Sequence, residues 1–223
     1  MVSLPAGIET VPTEASGCIN YQGEVWYRKH FTPEEEWKGK RQFLHFEAIM
    51  GKSKVWINGK LVNEHFGGFL PVISDVTDYL EYGKDNIIAV WADNSNDISY
   101  PPGKSQETLD FTYFGGIYRD CWMIVHNDVY ITDPNYENET AGVGLFVSYS
   151  NVSDKSADIR LDAHIRNMSS KSFSGKVEYE LYDKNGKMVQ SQSKNVSLSK
   201  GKARTTTVGM SVENPNLWEP DSP

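Results

Sequence analysis

The sequence predicts an all-β protein built as two successive sandwiches. Three observations carry that prediction. Short apolar or alternating segments bounded by Gly, Pro and Asn recur along the chain, helical periodicity is nearly absent, and the texture changes near Asn127, where aromatic density falls and the strands become regular. The second half also spaces its turn signals as an immunoglobulin-like sandwich does. This places one domain over 1–126 and a second over 127–223.

The elements follow in order. Residues 24–31 (EVWYRKHF) read as a strand in a two-layer sheet, and 41–49 as a second. Residues 53–57 and 60–62 flank Asn58-Gly59, both of which tolerate positive φ and so close a type I′ hairpin. Residues 86–92 are short, continuous and apolar, as suits a strand covered on both faces, and 117–125 carry another after Gly115-Gly116. Single helical turns are expected at 33–37 and at 76–80, the latter with Asp75 as N-cap. Beyond Asn127, strands are expected at 143–149, 157–166, 175–182, 187–193 and 202–212, with Asp183-Lys184-Asn185-Gly186 as a turn. Tyr100-Pro101-Pro102-Gly103 reads as a surface turn, and Glu34-Glu35-Glu36 as a solvated one.

Composition excludes several classes of function. With 22 Lys+Arg against 30 Asp+Glu the net charge is −8, so the basic footprint of a nucleic-acid or anionic-membrane binder is missing. The longest apolar run, 87–92, is far short of the ~20 residues of a spanning helix. The opening Met1-Val2-Ser3-Leu4-Pro5 shows neither the basic nor the apolar stretch of a signal peptide, which leaves the compartment open, with a periplasmic or secreted location favoured over a cytoplasmic one. Cys18 and Cys121 are too few for a disulfide framework and read as packed thiols. Asn138, Asn151, Asn167 and Asn195 each open a glycosylation acceptor pattern of the kind that arises by chance in an Asn- and Ser-rich chain.

No catalytic motif stands out from the residues alone. The five histidines form no HxH or HExxH pair, and there is no GxSxG elbow, GxGxxG turn or phosphate loop. Asn63-Glu64 has the dipeptide form of a glycosidase acid/base, but it directly follows a hairpin strand with no barrel pattern around it and reads as a loop. Asp110 precedes Phe111, Tyr113, Phe114 and the Gly115-Gly116 pair; a carboxylate there suits either sugar hydroxyls or a loop-capping role, the latter being favoured on the residues alone. Arg119 and Asp120 read as an ion pair on a strand, and Trp218 as a core anchor.

Six segments in order resemble the N-terminal region of family 2 glycoside hydrolases. They are Gly23-Glu24-Val25-Trp26-Tyr27-Arg28-Lys29, Trp37-Lys38-Gly39-Lys40, Val55-Trp56-Ile57-Asn58-Gly59-Lys60, Gly67-Gly68-Phe69, Asp75-Val76-Thr77 and Gly115-Gly116-Ile117-Tyr118-Arg119-Asp120. Leu109-Asp110-Phe111-Thr112-Tyr113-Phe114 is most similar to the β-galactosidase branch, and Asn214-Pro215-Asn216-Leu217-Trp218-Glu219-Pro220 resembles a segment near the end of that family's immunoglobulin-like domain.

The resemblance implies a jelly-roll, galactose-binding-like sandwich followed by an immunoglobulin-like one. It also implies that the nucleophile and acid/base glutamates belong to a (β/α)₈ barrel beyond Pro223, so that this chain is a non-catalytic N-terminal fragment of a retaining enzyme acting on β-galactosides. Asp110 then takes the position of an aspartate that reaches the barrel's site and binds the galactosyl unit, in some members beside a sodium ion. Sodium or magnesium is implied for the parent and no cofactor for the fragment. The expected partners are a β-galactoside-type carbohydrate, the barrel within the same chain, and further copies in a homo-oligomer, with no nucleic acid and no membrane. The family's next strand after the Leu-Trp segment is absent, so an unpaired edge is expected in the second domain. A free-standing carbohydrate-binding module, and the same fragment of a β-glucuronidase or β-mannosidase, are the alternatives.

Overall fold

The computed structural model describes residues 3–7, 21–109, 111, 114–139 and 143–220. The chain divides into two compact units, Met1–Asn127 and Asp128–Pro223. Every strand pairing within them is antiparallel. No helix among the described residues is long and apolar enough to cross a membrane.

The first unit is a jelly-roll-type sandwich. Its strands are β1 (Ala6–Gly7), β2 (Glu24–Phe31), β3 (Arg41–Phe46), β4 (Lys52–Ile57), β5 (Lys60–Phe66), β6 (Val72–Asp75), β7 (Asn86–Asp93), β8 (Gly116–Ile117) and β9 (Cys121–His126). One sheet runs β2-β7-β4-β5 and the other β6-β3-β9, with β1-β8 as a separate ribbon. Inward residues of both sheets meet in a core of Leu44, Phe46, Ile49, Val55, Ile57, Val72, Val76, Val90, Ala92 and Ile117. This is the period-2 burial that a two-layer sandwich requires.

Local chemistry explains most of the boundaries. Asn58 (φ 50) and Gly59 (φ 79) close the β4-β5 hairpin with both central residues left-handed, the type I′ requirement. Strand β3 stops at Phe46 because Glu47 turns to donate its N–H to the Asp120 carbonyl. The strand expected over 117–125 splits in two, since Tyr118–Asp120 swing out between β8 and β9; Arg119 is exposed there and joins no ion pair among the described residues. The turn at 76–80 is a short 3-10 helix over Thr77–Tyr79. Asp75 is not its N-cap residue but lies one position earlier, and its Oδ1 accepts from the Thr77 N–H and hydroxyl. Strand β7 buries Asn86, Val90 and Ala92, whereas its outward residues are half-covered, so it is not sealed on both faces.

Asn63 and Glu64 lie within β5 and not in a loop. The register slips between Val55 and Trp56, opposite Val62, and this bulge breaks the alternation that would have revealed the longer strand. Asn63 donates to the Ile73 carbonyl at 2.9 Å, and Glu64 pairs with Lys54 at 2.9 Å, so both side chains serve the sheets.

The second unit is immunoglobulin-like. It contains β10 (Val129–Ile131), a helical turn α1 (Pro134–Glu137), β11 (Leu145–Ser150), β12 (Ser156–Asn167), β13 (Phe173–Tyr182), β14 (Met188–Leu198) and β15 (Ala203–Glu213). β12 pairs with β15 on one side and with β10 and β11 on the other, while β13 and β14 form their own sheet. Ile159, Ala163, Tyr179, Val208 and Met210 fill the space between them. The Tyr179 hydroxyl donates to the Thr206 carbonyl at 2.8 Å, tying the two sheets through a buried polar contact.

Neither β10 nor α1 is legible as periodicity, being too short, although Asp133 as N-cap with Pro134 after it is the ordinary start signal. Asp183 builds the expected turn by accepting from the Asn185 and Lys187 N–H groups. Asn167 is fully buried, and its amide donates to the Lys171 and Leu198 carbonyls, so it is no glycosylation acceptor in the folded chain. Trp218 is 73% exposed and is not a core anchor: its segment leaves the sheet once β15 ends at Glu213.

Candidate functional site

The loops at one end of the first sandwich come together around Asn94, Met50, Gly68 and Gly115-Gly116. Asp110 itself, with Thr112, Tyr113 and Cys18, lies outside the described residues. What is described is the frame on either side of it: the entry to β2 (21–23), the turn between β3 and β4 (47–51), the loop after β5 (67–71), the long connection from β7 (94–109), and Phe111 and Phe114–Asp120.

Asn94 organises this end. It is 2% exposed, its Nδ2 donates to the Tyr21 carbonyl at 2.8 Å, and its Oδ1 accepts from the Gly23 N–H at 2.9 Å. Gly115 gives it room, since a Cβ there would lie 2.6 Å from Asn94 Nδ2. The close approach expected at Gly115-Gly116 is therefore used by the protein itself; Met50 donates its N–H to the Gly116 carbonyl on the adjoining residue.

Further along the loop, Gln22 donates to Gln106 Oε1 at 2.7 Å and to Asn96 Oδ1 at 3.2 Å, and Gln106 returns its N–H to Asn96 Oδ1. Gln106 is buried, and its Nε2 has no hydrogen-bond partner among the described residues. This amide net holds the 3-10 turn Gln106–Thr108 that immediately precedes Leu109 and residue 110. Sequence reading misses it because Asp93-Asn94-Ser95-Asn96-Asp97 has the composition of an ordinary solvated turn.

Asp97 pairs with Lys52 at 2.7 Å and accepts from Ser99, and those bonds hold its carboxyl well below the usual carboxylate range. A shallow depression between Met50, Gly51, Asn94, Ser95, Asp97, Tyr100 and Pro102 has room for little more than a water molecule. Burial raises the Tyr118 phenol, which stays neutral and donates to the Gly68 carbonyl at 2.6 Å. Burial likewise pushes the Cys121 thiol up to about 12, so it packs as an inert free thiol. Among the described residues no three His, Cys, Asp or Glu side chains gather.

His65 supplies a pH-sensitive group beside the Gly67 loop. Burial holds its imidazole below the ordinary value, and its Nε2 lacks a partner among the described residues. The unfolded chain then takes up the proton first as pH falls. The contribution of neutral His65 to stability is complete above the ordinary histidine value and shrinks as pH drops through it. The melting temperature of the wild-type chain is expected to fall from about pH 7 to about pH 5 more steeply than that of His65→Gln. Equal slopes would show that His65 does not control the response.

The family model described as "Glycosyl hydrolases family 2, sugar binding domain" matches residues 8–127, and "Glycosyl hydrolases family 2" matches 143–223. A β-galactosidase of Thermoanaerobacter pseudethanolicus is 32% identical over 100% of this chain and 28% of its own length. A β-glucuronidase of Formosa agariphila is 34% identical over 89% of this chain and 20% of its own length. Among solved structures, Bacteroides uniformis β-glucuronidase 2, covalently bound to cyclophellitol-6-carboxylate aziridine, superposes with a TM-score of 0.84 at 28% identity, covering 99% of this chain and 25% of that one. The chain thus spans well under half the length of the relatives it matches.

Proposed function

The chain belongs to glycosyl hydrolase family 2, and from that membership we propose that it supplies one wall of the sugar site of a longer retaining β-galactosidase. In this reading both catalytic carboxylates belong to a barrel downstream, one as nucleophile and the other as acid and then base. The loop end of the first sandwich faces the sugar, with Asp110 accepting hydroxyl hydrogen bonds from the galactosyl unit. The observation that best supports it is the collinear match of both domains to relatives roughly three to five times longer. The amide net of Gln22, Asn94, Asn96 and Gln106 then has a purpose, since it fixes the backbone on the approach to residue 110.

The test is a longer protein that carries this chain, assayed on nitrophenyl β-galactoside and β-glucuronide. Galactoside turnover with retained anomeric configuration is expected, with none from the purified 223-residue chain. Cleavage by the chain alone would overturn the non-catalytic reading. A preference for the glucuronide would replace the galactosidase reading with the β-glucuronidase one, which the Formosa and Bacteroides relatives favour.

Asp110→Asn in that longer protein is expected to lower kcat/KM on galactosides at least roughly tenfold, about 1.4 kcal/mol of transition-state binding. Unchanged kinetics would return Asp110 to a loop-capping role.

A further inference from the structure

The outer face of the β2-β7-β4-β5 sheet carries a feature that the loop-end reading does not use. Residues directly opposite one another in antiparallel strands share a face, so the register lays this surface out in rows. One row is Trp26, Trp91, Lys54 and Glu64; the next is Arg28, Ala89, Trp56 and Leu61; a third is Glu24, Asp93, Lys52 and Phe66. Ala89 is small, and over it Trp26 and Trp56 reach from strands on either side of β7 to stack, with ring centroids 5.3 Å apart and planes 25° from parallel. Lys54 Nζ lies 5.9 Å from the Trp91 ring centroid while its other contact is Glu64. Trp26 stays 63% exposed.

We propose that this tryptophan platform is a binding site for a neutral β-linked polysaccharide chain. The chemistry of the rows selects the ligand. Exposed indole surface with hydrogen-bonding charged groups beside it in the same and adjacent rows matches a chain whose sugar rings alternate flat C–H faces with hydroxyl edges. The three cations Arg28, Lys52 and Lys54 are balanced by Glu24, Glu64 and Asp93, which gives a polyanion no net attraction. A dry protein partner would have to strip water from the Lys54–Glu64 pair, whereas hydroxyls replace that water. Although the Trp26 and Trp56 backbones stand two strand spacings apart, about 10 Å, their rings meet with centroids 5.3 Å apart and form one continuous aromatic patch. This goes beyond the proposed active-site role and does not depend on it.

The test is affinity electrophoresis of the 223-residue chain through neutral gels containing hydroxyethyl cellulose or β-1,4-galactan, with a polygalacturonate gel as the charged comparison. Retardation in at least one gel is expected, unaffected by high salt, and Trp26→Ala and Trp56→Ala are each expected to weaken it at least fivefold, with Trp26→Phe keeping part of it. Trp122→Ala, which removes an exposed indole from the other sheet, is expected to retain it. No retardation in either gel, equal loss in Trp122→Ala, or retardation confined to polygalacturonate and abolished by salt would overturn the proposal. So would a Trp26-dependent dimer in sedimentation, because the platform would then serve a second copy. Circular dichroism and an unchanged melt establish that the variants fold. Hydrolysis of nitrophenyl glycosides by the longer protein is expected to be the same with Trp26→Ala, so failure here and failure of the active-site reading are separately visible.

Discussion

Gly51→Ala is expected to lower the melting temperature of the first unit by about 10 °C or more, the consequence of roughly 3–5 kcal/mol of lost stability. Two costs combine. Gly51 has φ +87, where a Cβ is disfavoured by about 1–2 kcal/mol. The added Cβ would also drive into the Asp93 carbonyl oxygen, and it would sit 2.9 Å from the carbonyl carbon and 3.0 Å from Asn94 Cα. These are backbone atoms at the end of a central strand and cannot rotate away. Relief must come from moving Asp93 and Asn94, and Asn94 holds the Tyr21 carbonyl and the Gly23 N–H. Gly59→Ala isolates the first cost, because Gly59 has φ +79 and nothing within 4 Å of the added atom. Thermal unfolding of the two variants beside wild type makes the comparison. If Gly51→Ala loses no more than Gly59→Ala, the close packing of the 47–51 turn against β7 is wrong. On the proposed function, the same displacement is expected to impair galactoside turnover by the longer protein, since the connection that leads to residue 110 starts at Asn94.

These two glycines also mark how far the sequence can be read. Asn58-Gly59 is legible because the type I′ turn needs only its own two residues to take positive φ. Gly51 is not, because its constraint is the Asp93 backbone some forty residues further on. The same division runs through the strands. Those whose apolar and aromatic residues stand between turn signals, such as Glu24–Phe31, are visible even where Trp26 and Tyr27 break the alternation, while β5 is cut short at its bulge and α1 is hidden by its brevity. Asparagine misleads most: Asn94 and Asn167 sit in polar stretches but are almost wholly buried, because each answers backbone groups that only the tertiary fold brings near. At the candidate site Asp110 stands out through the family resemblance, whereas Gln22, Asn94 and Gln106 carry no sequence signal of their own. A buried amide pattern is set by distant carbonyls, and no local spacing encodes it.

Asn86→Asp is expected to cost roughly 3–5 kcal/mol at neutral pH and to recover part of that in acid. Asn86 is fully buried, and its amide makes four contacts at the end of the sandwich away from the site. Nδ2 donates to the Glu81 carbonyl at 2.7 Å and the Lys84 carbonyl at 2.9 Å, while Oδ1 accepts from Asn58 Nδ2 and the Glu81 N–H, both at 2.8 Å. Aspartate keeps the shape and the accepting oxygen but turns the other arm into an anion facing two carbonyl oxygens. Both carbonyls lose their donor, and the charge is buried without a cation among these contacts. The folded state therefore favours the protonated acid, whose O–H can restore one of the two donated bonds. A carboxyl whose folded pKa is raised costs stability once the pH exceeds its unfolded value, and the penalty fades as pH falls back through the folded value towards about 4. The stability gap between wild type and Asn86→Asp, measured by urea unfolding across that range, should narrow in acid. Asn86→Ala, which removes the same donors without adding charge, should show a constant gap. A gap for Asn86→Asp that does not change with pH would mean that the new carboxylate escapes to solvent, and that the Glu81–Asn86 turn gives way where the hydrogen bonds make it look fixed.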